Sequence, residues 1–179
     1  MCIRDSLYIR RSGGSISKIA AMKNAVGNFI DQVTANATGD PATNEDDVTH
    51  RLGIVKFSGN ESDQIGNDTY RSDGNTYNYS QVVQDLTSAT GNVQSLKNTV
   101  NELAAAGSTR TDFGLNQAQR VLDGDRQHGL GGAREEAKQV VVVFTDGEPS
   151  TFSNWSGGVA ANAVNLAKDL KDDKVTVYT

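Results

Sequence analysis

The sequence predicts an α/β protein with a doubly wound, Rossmann-like, mainly parallel sheet and helices on both faces. The first observation is the run at residues 139–144, which ends in five successive apolar residues. A strand without polar alternation is typical of a parallel sheet covered on both faces. The second is the alternation of helical and strand patterns along the chain. The third is the polar Thr-Asp-Gly-Glu-Pro directly after the apolar run, because ligands bind beyond the carboxyl ends of such strands.

The N-terminal half supplies a helix and a strand with clear patterns. Apolar residues at three- and four-residue spacings predict a helix over about residues 15–35. The segment 50–58 is apolar enough for a strand, which ends at Gly59. Residues 59–80 are rich in Asn, Asp, Gly and Tyr, which predicts a long surface excursion that can hold a hairpin. A short edge strand is predicted over residues 79–86.

Two helices are predicted before the valine-rich strand. The first is amphipathic from Val93 onward and is closed by Gly107. The second starts after Thr111 and Asp112, one of which is expected to cap it, whereas Thr109 is expected to face the strand ends.

The C-terminal part continues the alternation. A Gly-rich loop at residues 124–132 leads to the valine-rich strand, which we predict at residues 139–145. A helix follows over residues 160–170, and another strand begins at residues 174–178. Because this strand stops with the chain, we expect the sequence to be a fragment of a longer parent.

Composition excludes several classes of function. With 179 residues the chain is predicted to form one domain. A net charge of -5 and a pI near 5.0 argue against a nucleic-acid partner. The single cysteine, Cys2, cannot form a disulfide within the chain. No stretch approaches the roughly 20 apolar residues of a membrane span, so direct membrane insertion is not expected.

Two separated motifs resemble the von Willebrand factor type A domain. They are Gly-Ser-Thr-Arg-Thr-Asp-Phe-Gly-Leu at residues 107–115 and Val-Val-Val-Val-Phe-Thr-Asp-Gly-Glu-Pro at residues 140–149. The predicted strand at residues 53–58 and helical residues 17–26 are also similar to that family. The resemblance covers most of residues 15–179 and implies a binding function without catalysis.

The resemblance also implies a metal-ion-dependent adhesion site. In the family this site combines an Asp-x-Ser-x-Ser loop after the first strand, a threonine from a later loop and an aspartate after the fourth strand. The threonine and the aspartate correspond to Thr109 and Asp146. Hydroxyl and carboxylate oxygens suit Mg²⁺, or Mn²⁺ or Ca²⁺, in the intact parent. The partner, a protein or the extracellular matrix, is expected to supply a further carboxylate.

The chain departs from the family pattern at its beginning. Ser15 and Ser17 are the possible remnants of the serine ligands, but Gly13 then stands at the aspartate position. We therefore expect an N-cap and a flexible entry there, and weak or absent metal binding. Residues 1–6 resemble a translated sequencing adaptor, which suggests a metagenomic fragment. Residues 1–14 are accordingly expected to be non-native or disordered, with the first strand missing or replaced, and residues 15–179 to form a partial type A domain.

The resemblance is strongest to cell-wall-anchored surface proteins of Gram-positive bacteria, including pilus-tip adhesins, and implies a protein- or matrix-binding module at the cell surface. The expected ligand rim comprises Trp155, Asn154, Tyr77 and Tyr79. The alternatives are an intracellular type A module that serves an ATPase or metal-chelatase complex, and a structural stalk domain without metal.

An enzymatic alternative fails on one residue. A hydrophobic strand that ends in Asp-Gly also begins the motif of haloacid-dehalogenase-like phosphatases. That chemistry needs a nucleophilic aspartate two residues earlier, where this chain has Phe144. We therefore expect no catalysis.

Overall fold

The computed structural model describes residues 8–11, 14–35, 50–59, 69–72, 75–78, 80–105, 107–145, 147–151 and 154–179. Its α-helices are α1 (Lys18–Ala35), α2 (Val93–Asn101), α3 (Thr111–Asp123) and α4 (Gly157–Asp172). Its strands are β1 (Tyr8–Arg11), β2 (Gly14–Ser17), β3 (Arg51–Lys56), β4 (Thr69–Ser72), β5 (Asn75–Asn78), β6 (Gln81–Ser88), β7 (Val140–Val142), β8 (Ser150–Thr151), β9 (Asn154–Trp155) and β10 (Thr176–Tyr178).

The start of the first helix differs from the prediction. Helix α1 begins at Lys18 instead of near residue 15, because β2 precedes it and pairs with β1 in an antiparallel hairpin. The excursion between β3 and β6 does contain a hairpin, formed by β4 and β5. Residues 1–7 lie outside the described residues.

Helices cover both faces of the antiparallel β3–β6 ladder. On one face, Ile30 of α1 and Leu96 and Val100 of α2 are buried against Leu52 and Ile54 of β3. Residues that alternate with these point to the opposite face of a strand. There the intervening Gly53 approaches α3 so closely that a Cβ on it would lie 3.1 Å from Val121 Cγ1.

The parallel β7–β10 ladder has the same arrangement. Val141 and Val177 pack against a core whose buried residues are Leu115 of α3, Ala163 and Leu170 of α4, and Val175, which directly precedes β10. Phe144 follows the strand with the opposite parity, and its ring lies 6.0 Å from the ring of Phe29 in α1, centroid to centroid. Helix α3 therefore packs against both ladders, and α1 contacts the β3–β6 ladder as well as the residue Phe144 that follows β7.

The valine-rich strand is shorter and more exposed than predicted. Only Val140–Val142 pairs within the ladder, and Val140 is 44% exposed. The reason is that β10 is the only hydrogen-bonded neighbour of β7 among the described strands. These strands form five two-stranded ladders, of which β7–β10 is the parallel one, instead of the single mainly parallel sheet that was predicted.

The Gly-rich loop after α3 is anchored at the end of the molecule remote from Thr109. Asp85 Oδ2 accepts a hydrogen bond from the Gly131 amide at 3.0 Å. Asp125 is paired with Arg120 at 2.6 Å and with His128 at 2.7 Å. The hydrogen bond from Arg120 is the main reason why the pKa of Asp125 is lowered to about 2. The carboxylate therefore stays charged, and this anchor stays in place, throughout the neutral range.

Candidate functional site

The loop at residues 107–110 bridges the ends of two strands. The Ser108 amide donates to the Gly59 carbonyl at 3.3 Å, and Gly59 closely follows β3. The Ser150 amide donates to the Thr109 carbonyl at 3.0 Å, and Ser150 opens the hairpin that comes after β7. The segments that follow β3 and β7 thus meet at this loop, and it is beyond the carboxyl ends of strands that α/β sheets bind ligands.

The side chain of Thr109 contacts the turn that follows β7. This side chain is buried, with 7% of the residue exposed. A Cβ built on Gly147 would lie only 2.5 Å from Thr109 Oγ1, so the hydroxyl contacts the Gly147 backbone. Asp146 itself lies outside the described residues, but Gly147 is its immediate neighbour. The two residues assigned to the adhesion site are therefore carried by segments in direct contact.

A buried ion pair stabilises the end of the Thr109 loop. Arg110 donates from Nε to Asp112 Oδ1 at 2.8 Å and from Nη2 to Oδ2 at 2.7 Å. Both residues are buried, with 5% and 3% exposed, and the guanidinium carbon lies 3.4 Å from the centroid of the Phe113 ring. Bidentate pairs of this kind fix orientation as well as supplying energy. The pair therefore fixes the chain at the point where the loop becomes α3.

The N-cap of α3 was predicted incorrectly. The capping residue is Arg110, and its side chain makes no capping hydrogen bond. Thr111 is already the first helical residue. Asp112 instead uses Oδ1 both for Arg110 and for the Phe113 amide, which donates to it at 3.0 Å. The carboxylate thus satisfies a first-turn amide from inside the helix, where it also complements the positive end of the helix dipole.

Close packing places the start of α3 on the end of β3. A Cβ on Gly114 would lie 2.6 Å from Phe57 Cδ1, so only glycine allows this approach. Phe57 itself is 6% exposed. This contact fixes where α3 lies along β3. It therefore also fixes the position of Thr109, which lies two residues before the helix.

Part of the predicted ligand rim lies beside Thr109. Trp155 is 65% exposed and Asn154 is also exposed, and both belong to the β8–β9 hairpin. In this hairpin Trp155 pairs with Ser150, whose Oγ accepts from the Thr109 amide at 3.0 Å. Tyr77 lies in β5, whose side chains are not described, and Tyr79 lies outside the described residues.

The excursion between β3 and β6 begins and ends next to the same loop. The Ser58 amide donates to Ser80 Oγ at 2.9 Å, and that hydroxyl donates in turn to the Ser58 carbonyl. Both serines are buried. The two ends of the excursion are therefore joined at the carboxyl end of β3, one residue from the Gly59 carbonyl that holds Ser108.

Within the part of the chain that the structure describes, the candidate serine ligands add no side chain to the site. Ser17 Oγ accepts from the Ala20 amide at 3.3 Å, which is the role of a helix N-cap. The N-cap prediction for this residue is thus confirmed. Ser15 lies in β2, but its side chain is not described.

The donor set suits a hard cation only in part. Within the described ranges there is no group of three or more His, Cys, Asp or Glu side chains that could hold a metal. One buried threonine hydroxyl beside a turn with a single aspartate would supply two oxygen ligands. Mg²⁺ requires six oxygens and retains waters readily, so these residues fit part of its coordination sphere.

The fold and the site are those of an α/β ligand-binding domain. In such domains helices cover the strands, and loops beyond the strand ends hold the ligand, as the contact between the Thr109 loop and the turn after Asp146 does here. Residues 12–179 match the family model of the von Willebrand factor type A domain, and the chain belongs to this family. Its fold is accordingly α/β and Rossmann-like. Such domains generally act in protein–protein interaction and adhesion, and they often bind a divalent metal.

Two further comparisons gave no relatives: neither a curated protein nor a solved structure matches the chain. Among the described helices, none combines the length and the apolar character needed to cross a membrane.

Proposed function

We propose that this domain binds a protein or matrix partner through a metal-ion-dependent adhesion site built on Thr109 and Asp146, without catalysis. The observation that carries this proposal is the contact between the buried Thr109 hydroxyl and the Gly147 turn. The proposed setting is the surface of a bacterium, as part of a cell-wall-anchored parent of the pilus-adhesin kind. The acidic composition and the Asn- and Tyr-rich excursion support this setting.

The chemistry of the proposed site is electrostatic. Bound Mg²⁺, Mn²⁺ or Ca²⁺ would supply a positive charge that accepts a carboxylate from the partner. Thr109 would contribute a neutral oxygen, and Asp146 would contribute the one carboxylate. Because a hydroxyl neutralises no charge, a site of this composition leaves the cation able to attract an acidic side chain from outside.

This chain is expected to bind Mg²⁺ weakly or not at all. The Ser17 hydroxyl is engaged as a helix cap, and Gly13 stands where the family has its aspartate. Calorimetric titration should therefore show no micromolar Mg²⁺ affinity. Grafting an apolar strand that ends in Asp-x-Ser-Gly-Ser ahead of Lys18 should restore binding, because it adds a carboxylate and two hydroxyls. Asp146→Ala in the grafted chain is the matched control and should remove it again.

Partner binding by the parent protein should depend on the cation. An excess of chelator should abolish adhesion to the partner, and antibodies to this domain should label intact cells. Equal adhesion with and without chelator would instead support the metal-free structural domain. Labelling only after lysis would contradict the surface location.

A further inference from the structure

We infer that the β8–β9 hairpin is a second contact point for the partner, at which Trp155 receives a cationic side chain about three residues away from the partner's acidic residue. The inference deepens the proposed function and rests on it for the position of the acidic residue. It is based on the contacts of Trp155, Ser150 and Thr109.

The hairpin is fixed to the Thr109 loop at its base. Ser150 donates its amide to the Thr109 carbonyl and accepts the Thr109 amide on its Oγ, both at 3.0 Å. The Ser156 amide donates to the Pro149 carbonyl at 2.9 Å and closes the hairpin. Thr109, Ser150 and Trp155 therefore lie side by side on three hydrogen-bonded segments. Since hydrogen-bonded neighbouring strands are about 4.8 Å apart, two such steps put the backbone of Trp155 about 10 Å from that of Thr109.

The indole is held at its edge but remains open to a partner. Trp155 is 65% exposed, although its ring touches the start of α4. A Cβ on Gly157 would lie 3.0 Å from Trp155 Cη2, so the absence of a side chain there makes room for the ring. An aromatic side chain with much exposed surface is the kind of residue that anchors protein interfaces.

The surroundings of Trp155 favour a cation. Indole is the aromatic ring that binds ammonium and guanidinium groups best. Residues 147–158 contain one acidic residue, Glu148, and no basic residue. Glu148 is exposed in the turn that leads into the hairpin. With a net charge of -5 for the whole chain, a lysine or arginine of the partner is attracted to this edge.

The distance between the two contact points sets the spacing in the partner. An extended chain advances about 3.3 Å per residue. A separation of about 10 Å therefore corresponds to about three residues. The partner is thus inferred to present an extended segment with Asp or Glu at one position and Arg or Lys three positions away.

Trp155 is the only tryptophan in the chain, so its fluorescence reports on this contact alone. The probes are capped peptides, titrated at millimolar Mg²⁺ into the chain that carries the grafted Asp-x-Ser-Gly-Ser strand: aspartate and arginine three positions apart, the same pair seven positions apart, and aspartate with neutral norleucine three positions away. The first peptide should bind about two- to fivefold more tightly than either of the others. It should also change the Trp155 emission most.

Three variants, studied by calorimetry, test the residues. Trp155→Ala should bind all three peptides equally. Tyr178→Ala is the matched control, because Tyr178 is an exposed aromatic residue on a different strand, β10, and it should keep the preference. Ser150→Ala should keep the preference for arginine over norleucine but weaken the discrimination of spacing, because one of the two hydrogen bonds that fix the hairpin to Thr109 is lost while the backbone bond remains.

Each contrary result has a distinct meaning. Equal affinity for the arginine and norleucine peptides overturns the cation contact. Equal affinity at both spacings overturns the fixed separation, and the absence of any change in emission overturns the inference as a whole. A preference for arginine that depends on Trp155 but not on Mg²⁺ or on the aspartate contradicts the proposed metal site while the Trp155 contact stands.

Discussion

Asp112→Ala is expected to lower the free energy of unfolding by about 3–5 kcal/mol, because it removes the carboxylate that faces a buried positive charge. Arg110 is only 5% exposed and donates two hydrogen bonds to this carboxylate. The first-turn amide of Phe113 loses its acceptor as well. Urea denaturation followed by circular dichroism measures the effect.

The chain offers a matched control with the same chemistry at the surface. Asp31 pairs with Lys97 at 2.6 Å, but the two side chains are 49% and 28% exposed. Asp31→Ala should therefore cost about 0–1 kcal/mol. The double variant Arg110→Leu with Asp112→Leu should lose less than Asp112→Ala, because it leaves no buried charge. Equal losses for Asp112→Ala and Asp31→Ala would show that the buried pair does not fix the loop.

Gly147→Ala is expected to reduce divalent affinity by about 10- to 100-fold, as the loss of a group that orients a ligand does. The new Cβ would lie 2.5 Å from Thr109 Oγ1, so either the hydroxyl or the turn with Asp146 must move. Overpacking of this kind also costs about 1–3 kcal/mol of stability. Calorimetry with Mn²⁺ in the chain that carries the grafted Asp-x-Ser-Gly-Ser strand measures the affinity.

Two further variants separate the steric effect from the loss of a ligand. Gly158→Ala adds the same methyl group where the nearest atom, Ser156 Oγ, is 3.8 Å away, and it should leave affinity unchanged. Adding Thr109→Ala to Gly147→Ala should recover stability, because the clashing oxygen is gone, but should not recover binding. Unchanged Mn²⁺ affinity in Gly147→Ala would mean that the contact between Thr109 and the turn is not part of a metal site.

The apolar run and the alternation of elements could be read from the sequence because they depend on local periodicity. The positions of α2, α3 and α4 follow from it. The length of β7 could not be predicted, because the exposure of Val140 depends on whether another strand lies beside it. Such tertiary information is absent from a pattern of apolar residues.

The family motif predicted two residues of the site, Thr109 and Asp146, and the turn that follows β7. It did not predict the Arg110–Asp112 ion pair, because the sequence does not show that these two side chains are buried. Ser150 was missed for a similar reason. Its role depends on the β8–β9 hairpin folding back on Thr109, and a serine after proline gives no sign of this.

Paramagnetic line broadening by Mn²⁺ is the sharpest test of a metal site at Thr109 and Asp146, because it locates even a weak metal site in this chain. We predict that substoichiometric Mn²⁺ broadens the amide resonances of Thr109, Thr145 and Gly147 first, and that Asp146→Ala removes this selectivity. The amides around Asp125, at the far end of α3, should be unaffected at the same concentration, since a 13-residue helix separates the two ends by about 20 Å. Broadening that starts elsewhere, or that persists at Thr109 in Asp146→Ala, would contradict a metal-ion-dependent adhesion site at this turn.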